Sequence, residues 1–210
     1  MSSAKVPTSR VATPVAPSPN RQAILAAALR VLTNDGHDAL TVRRVAQEAS
    51  VSTIGVYTWF GGKDGLVDAI WVEGFESFAA ALRKVQPQSD PLKFIAGQAM
   101  AYRKWALAHP MHYRVMFLGA IPGHHPGPDA AIAGAIAFEL LRNAVSLGVA
   151  QGVIASSDID ATTLALWGVS HGMVSLQLVN NRPSELAPDT RLDDRAFRVA
   201  IDAVIRGIAR

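Results

Sequence analysis

Between Thr41 and Phe60 the apolar positions fall into two short helical phases separated by a turn. Val42, Val45, Ala46 and Ala49 stand at i, i+3, i+4 and i+7, one stripe of a helix for which Thr41 is a suitable N-cap, while Arg43, Arg44, Gln47 and Glu48 lie mostly off that stripe. A turn at Ser50 and Val51 follows. Ser52 can then cap a second helix of barely two turns, with Val56 and Phe60 directed inward. The first stripe needs a cover, and the preceding segment supplies one. Asn20 can cap a helix carrying Ile24, Ala28, Val31 and Leu32 at i, i+4, i+7 and i+8, which Gly36 ends.

Helical periodicity continues downstream. After Lys63 one helix is predicted to about residue 85, with Leu66, Ile70, Phe75 and Phe78 on its apolar faces, and 86–90 reads as a loop. Asp90 and Pro91 form a cap followed by an N1 proline, opening a helix that runs to His109, where Pro110 stops it. Residues 111–118 make a short further helix, and in IPGHHPGPD glycine and proline forbid regular structure. The stretch 130–152 is Ala-rich and apolar almost all round, the pattern of a central buried helix. Ser156 or Ser157 caps the next helix, to about residue 179, and a polar loop with Pro183 and Pro188 leads to a last helix over 193–210. Leu164, Trp167, His171, Val174 and Leu178 form one long stripe, and Phe197, Ile201, Val204, Ile205 and Ile208 a second. Two such faces exceed what a small monomer needs, so a homodimer through the two C-terminal helices is expected. No run reads as a strand, and no repeat is present.

The expected fold is therefore all-α. A helix-turn-helix domain over 21–66 is followed by a helical bundle over 67–210, with a disordered tail over 1–20 whose four prolines and lack of period deny it a core. Lys5 and Arg10 in that tail can reach a DNA minor groove. On the second short helix the outward positions are Thr53, Ile54, Gly55, Tyr57 and Thr58, small or hydroxylated side chains that let a helix approach base edges, with a phenol able to reach a phosphate. Arg43 can supply a bidentate contact to guanine. The net charge of +3 says little by itself, but residues 1–63 hold seven basic side chains against three acids and the remainder thirteen against fourteen. The positive excess sits with the helix-turn-helix pattern. Absence of cysteine excludes disulfides and thiolate metal sites and fits a cytoplasmic protein. No apolar run is read as approaching the ~18 residues of a membrane span, so no membrane partner is expected.

Leu40-Thr41, Arg43, Val45-Ala46, Val51-Ser52, Val56-Tyr57, Phe60, Gly62-Lys63-Asp64 and Leu66 together resemble the DNA-binding signature of the TetR family of one-component bacterial repressors, over residues 21–70. Two positions depart from that pattern: Ser50 stands where such turns often have glycine, and Trp59 where histidine or tyrosine is common. The resemblance implies a DNA interface made of Thr41, Arg43, Arg44, Ser52, Thr53, Ile54, Gly55, Tyr57, Thr58, Trp59 and Lys63, in which Thr53 and Gly55 meet bases and Thr41, Tyr57, Trp59 and Lys63 hold the backbone. The rest of the chain resembles, more loosely, the effector-binding and dimerisation domain of such regulators, with Trp167, His171 and Gly172 in a Trp-x3-His-Gly feature found in one branch. It implies a repressor released from a palindromic double-stranded operator by a small apolar effector. A bundle pocket of that kind is lined by aromatics and methionine with one or two polar groups. Tyr102, Trp105, Met116, Phe117, Phe138, Trp167 and His171 are the candidates.

Other chemistry finds little support. His109 with His112, and His124 with His125, lack the convergent spacing of a metal site, and no metal or cofactor is expected. There is no phosphate-binding glycine loop, GxSxG or HExxH, and Ser170 beside His171 on a helix cannot face it as nucleophile to base, so an enzyme is not expected. The rival reading is a helical protein-interaction adaptor without sequence-specific DNA binding, which a gel shift with the promoter of its own gene separates from a repressor.

Overall fold

The computed structural model describes residues 19–179 and 193–210. The tail bearing Lys5 and Arg10 and the loop bearing Pro183 and Pro188 lie outside the described residues. Within them the chain folds as nine helices: α1 (Pro19–Asp35), α2 (Val42–Glu48), α3 (Thr53–Phe60), α4 (Lys63–Arg83), α5 (Pro91–Ala108), α6 (Pro110–Phe117), α7 (Pro128–Ala150), α8 (Ile159–Val179) and α9 (Asp194–Ile208). One isolated antiparallel bridge, Ile154 to Ala209, ties the end of the chain to the turn after α7.

Local chemistry starts these helices at the caps expected from the sequence for α2, α3 and α5, and for α9 at Asp193, which the sequence pattern makes the first residue of the last helix. The Thr41 hydroxyl accepts from the Arg44 amide, Ser52 from Gly55, Asp90 from Leu92 and Lys93, and Asp193 from Ala196, each satisfying an otherwise unpaired amide of a first turn. Two further starts differ from expectation. Asp158, rather than Ser156 or Ser157, caps α8, accepting from Ala161 at 2.9 Å, while Ser156 braces the Asp158 amide at 3.1 Å. Pro128 and Asp129, expected in irregular chain, form the first turn of α7, since proline at N1 has no amide to leave unpaired.

Three apolar clusters hold the helices together. The first gathers Ile24, Leu25, Val31, Leu40, Val45 and Val56 with Leu66, Val67, Ala69 and Ile70 of α4 and Val115 of α6. The second joins Phe75, Phe78 and Leu82 of α4 to Tyr102, Trp105, Tyr113, Val174, Phe197 and Ile201, and the third surrounds Ile95, Val145, Ile154 and Leu166. The boundary expected after Leu66 thus falls inside a continuous helix. Successive turns of α4 serve two cores, Leu66 to Ile70 the first and Phe75 to Leu82 the second.

Three expectations about the C-terminal half need correction. Helix α7 packs against α4, α5 and α8 but is not buried all round: Ala130, Ala137, Ala144 and Val145 face the core, while Ile132, Ile136 and Leu147 are exposed. By length and composition α7 is also apolar enough to cross a membrane, contrary to the sequence reading. The stripes assigned to a partner are largely consumed within the chain, with Val174, Leu178, Phe197 and Ile201 buried. Leu164, Leu176 and Val179 of α8 and Val199 of α9 are the large apolar side chains left exposed there.

Candidate nucleic-acid interface and ligand cavity

Helix α3 is too short to be stable alone. Val56, fully buried, and Phe60 pin it to the first cluster, each burial contributing about 1.5–3 kcal/mol. Its other side is open, with Ile54 75% and Tyr57 56% exposed and Thr53 and Thr58 likewise at the surface. Trp59 is 40% exposed, and Gly55 is half-buried where it donates to the Ser52 cap. The Thr58 hydroxyl donates to the Ile54 carbonyl at 2.8 Å and keeps its acceptor lone pairs free.

The turn between α2 and α3 passes through Ser50 at φ 56°, the one non-glycine residue with positive φ among those described. The position where the family pattern favours glycine is thus left-handed here as well, and the serine pays for it in steric strain. The α3 to α4 junction is equally tight. A Cβ on Gly65 would stand 1.9 Å from the Phe60 carbonyl oxygen, so only glycine lets α4 leave so close to the end of α3.

The two arginines of α2 have different surroundings. Arg43 is exposed and has no ion-pair or hydrogen-bond partner among the described residues. Arg44, expected on the DNA face, is instead held by Asp35 at 2.8 Å and Glu48 at 3.1 Å, while Glu48 also meets Arg30 at 2.8 Å. These hydrogen bonds, from Arg30 first and then Arg44, keep the Glu48 carboxyl below its ordinary range. Arg44 therefore ties α2 to the end of α1. Thr41 is exposed at its cap position, and Lys63 is exposed at the first turn of α4.

Helix α4 runs from this surface to a cavity. On the way the Asp68 carboxylate meets His124 at 3.0 Å and accepts from the Gly127 amide at 3.0 Å, and Glu73 lies 3.5 Å from His112. Histidines read for metal thus face carboxylates of α4, and no group of three or more potential ligands converges among the described residues. Beyond Gly74 the α4 side chains Phe75, Phe78 and Leu82 wall a cavity of about 220 Å³, which α5, α7, α8 and Phe117 at the end of α6 complete.

Of the seven expected pocket residues, Tyr102, Phe117, Phe138 and Trp167 line this cavity. Trp105, Met116 and His171 do not. Trp105 points to the α4–α5 side, where its indole donates to Ser77 at 3.1 Å, and Met116 packs against Gly74. His171 lies behind Trp167, in a polar network with Tyr102, Tyr113 and Ser175. Its Nδ1 is 2.8 Å from the Tyr113 hydroxyl and 3.3 Å from that of Tyr102, and its Nε2 is 3.3 Å from Ser175 Oγ. Desolvation pushes both phenols above their ordinary range and the imidazole below its own, so all three groups stay neutral around pH 7. A neutral imidazole accepting at Nδ1 and donating from Nε2 satisfies the arrangement.

Sequence reasoning missed several wall residues, among them Phe75, Phe78, Leu82, Ile95 and Leu166, and the most telling of them is Gln98. It is 5% exposed, and the signal was available, since Pro91, Ile95, Gln98, Tyr102 and Trp105 share the spacing of one inward face on α5. A glutamine amid that stripe has to be explained.

Residues 24–70 match the family described as bacterial regulatory proteins, tetR family, and residues 95–204 match the tetracyclin repressor-like, C-terminal domain. An HTH-type transcriptional regulator of Mycobacterium tuberculosis is 23% identical over 134 residues, covering 61% of this chain and 57% of that protein. The chain thus spans a little over half the length of that relative. The HTH-type nicotine-responsive transcriptional repressor HdnoR of Paenarthrobacter nicotinovorans is 31% identical over 80 residues, 38% of this chain and 41% of that one. Among solved structures, a protein of unknown function from Rhodococcus sp. RHA1 superposes with a TM-score of 0.77 at 28% identity, covering 95% of this chain and all of the other.

Proposed function

The chain belongs to the TetR family of bacterial regulatory proteins, and from that premise we propose that it is a DNA-binding transcriptional repressor of the cytoplasm, controlled by a small apolar ligand. The observation that carries this reading is the exposure of α3, anchored only by Val56 and Phe60 and carrying short side chains outward. Such a helix fits a major groove, with Arg43 at a base edge and Thr41, Tyr57, Trp59 and Lys63 on phosphates and sugars.

Two copies, paired through the exposed residues Leu164, Leu176 and Val179 of α8 and Val199 of α9, present two reading helices to successive grooves of a near-palindromic operator. Gly168 and Gly172 on α8 and Gly207 on α9 have open space where a side chain would stand, which lets a partner helix approach closely. Helix α4 couples ligand to DNA. Its Leu66, Val67 and Ile70 belong to the core that holds α3, and its Phe75, Phe78 and Leu82 to the cavity wall. A ligand that prefers one setting of α4 shifts the spacing of the reading heads, and one that binds both settings equally has no effect.

Electrophoretic mobility shift with the intergenic DNA beside the gene, in excess non-specific competitor, tests this function. A specific complex with two half-sites about one helical turn (~34–36 Å) apart is expected. Binding no tighter than to random duplex overturns the reading.

A further inference from the structure

The cavity wall contains a polar group that none of the described residues satisfies. The Gln98 carbonyl oxygen is buried and has no hydrogen-bond partner among the described residues. Two further polar groups of the wall are already engaged: the Ser170 hydroxyl donates to the Leu166 carbonyl at 3.0 Å, and the Tyr102 hydroxyl meets the Tyr113 hydroxyl and a His171 ring nitrogen. A buried acceptor without a partner costs on the order of 1–3 kcal/mol, so a glutamine on an otherwise apolar face of α5 is unfavourable for folding alone. Among the described residues no Asp, Glu, Lys, Arg or His lines the cavity. A charge carried into the cavity itself would lose its hydration with nothing in this lining to replace it, since Arg83 lies on the neighbouring groove and not on the cavity wall.

Gln98 also stands between two spaces. Together with Leu82 it belongs both to the cavity and to an open groove formed by the end of α4, α5 and α7. A guest hydrogen-bonded there has its polar end towards the groove and its apolar body among Phe75, Phe78, Phe138 and Trp167. A cavity of ~150 Å³ admits benzene, and this one, at about 220 Å³, has room for a larger, two-ring body.

We propose that Gln98 is the specificity-determining contact for the ligand, and that the ligand is a neutral, two-ring-sized apolar molecule bearing one hydroxyl or N–H that donates to the Gln98 carbonyl oxygen. This rests on the reading of the helical half as a ligand-sensing domain. Titration calorimetry of the full chain without DNA tests it with three probes of similar size: 2-naphthol, 2-methoxynaphthalene and 2-naphthoate. The wild-type protein is expected to bind 2-naphthol roughly tenfold more tightly than the methyl ether, and the carboxylate more weakly still. In Gln98→Met, an apolar side chain of similar length, the preference for the phenol over the ether falls to within about twofold, while the thermal midpoint is no lower than that of wild type. Equal binding of phenol and ether by wild type, tight binding of the carboxylate, a preference that survives in Gln98→Met, or no binding of any probe overturns the proposal. Because these heats are read without DNA, failure of ligand-controlled operator release would leave them unchanged.

Discussion

The Trp167 indole stacks on the His171 imidazole, with 5.1 Å between ring centroids and 26° between their planes. One ring forms the cavity wall and the other belongs to the buried tyrosine–histidine network, so the two regions share a surface. Burial holds the imidazole below its ordinary value of 6.5. The folded state therefore resists protonation more than the unfolded chain does. The stability tied to the neutral ring is complete above pH 6.5 and is lost as the pH falls through the depressed folded value. Thermal unfolding between about pH 7 and about pH 5 should show a steeper loss for wild type than for His171→Gln. Parallel pH slopes would remove His171 from that role.

Ser50 carries left-handed backbone at φ 56°. Ser50→Gly is expected to raise stability by about 1 kcal/mol, and Ser50→Val to lower it, because a β-branched side chain tolerates positive φ least. Urea unfolding midpoints with unchanged slopes are the check.

Gly65 has the opposite requirement, space rather than backbone angle. A methyl group there meets the Phe60 carbonyl oxygen at 1.9 Å, and neither backbone can yield without separating α3 from α4. Gly65→Ala should cost about 3 kcal/mol or more. Hydrogen exchange should show the loss first in α3, and unchanged protection of that helix would refute the steric argument.

The arginine neighbours should separate cleanly. Arg43→Ala is expected to leave the thermal midpoint in place and to weaken operator binding by roughly 1–3 kcal/mol, concentrated at one base pair. Arg44→Ala should lower the midpoint by leaving Asp35 without its partner and Glu48 with Arg30 alone, with a smaller drop at high salt. Lys63→Ala should weaken all duplexes alike. Footprinting and unfolding on the same three variants decide, and the reverse assignment for Arg43 and Arg44 would sink it.

On the face proposed for pairing, Leu176 is half exposed on α8 and has no role in the chain's own core. Leu176→Asp should leave the fold intact but convert dimer to monomer in sedimentation equilibrium, with loss of operator affinity. A variant that stays dimeric would move the interface elsewhere.

Much of this protein was legible in the sequence because much of it is local. Helix starts are set by cap residues and N1 prolines within three or four positions, which is why the capping hydroxyl or carboxylate of α2, α3 and α5 is where the pattern puts it. The exposed face of α3 follows from Val56 and Phe60 for the same reason. Periodicity tells which residues share a face, but what covers that face depends on segments far away in the chain. Hence the apolar girth of α7 reads as burial although one side carries exposed Ile132, Ile136 and Leu147, and the stripes of α8 and α9 read as a partner's although Val174 and Phe197 close the chain's own core. Arg44 and Asp35 are paired across a helix junction that only packing brings together. The same holds at the cavity, where Trp167 shields His171 and leaves the wall to Gln98: hydrogen-bond satisfaction is a property of the assembled neighbourhood, which the order of residues alone does not contain.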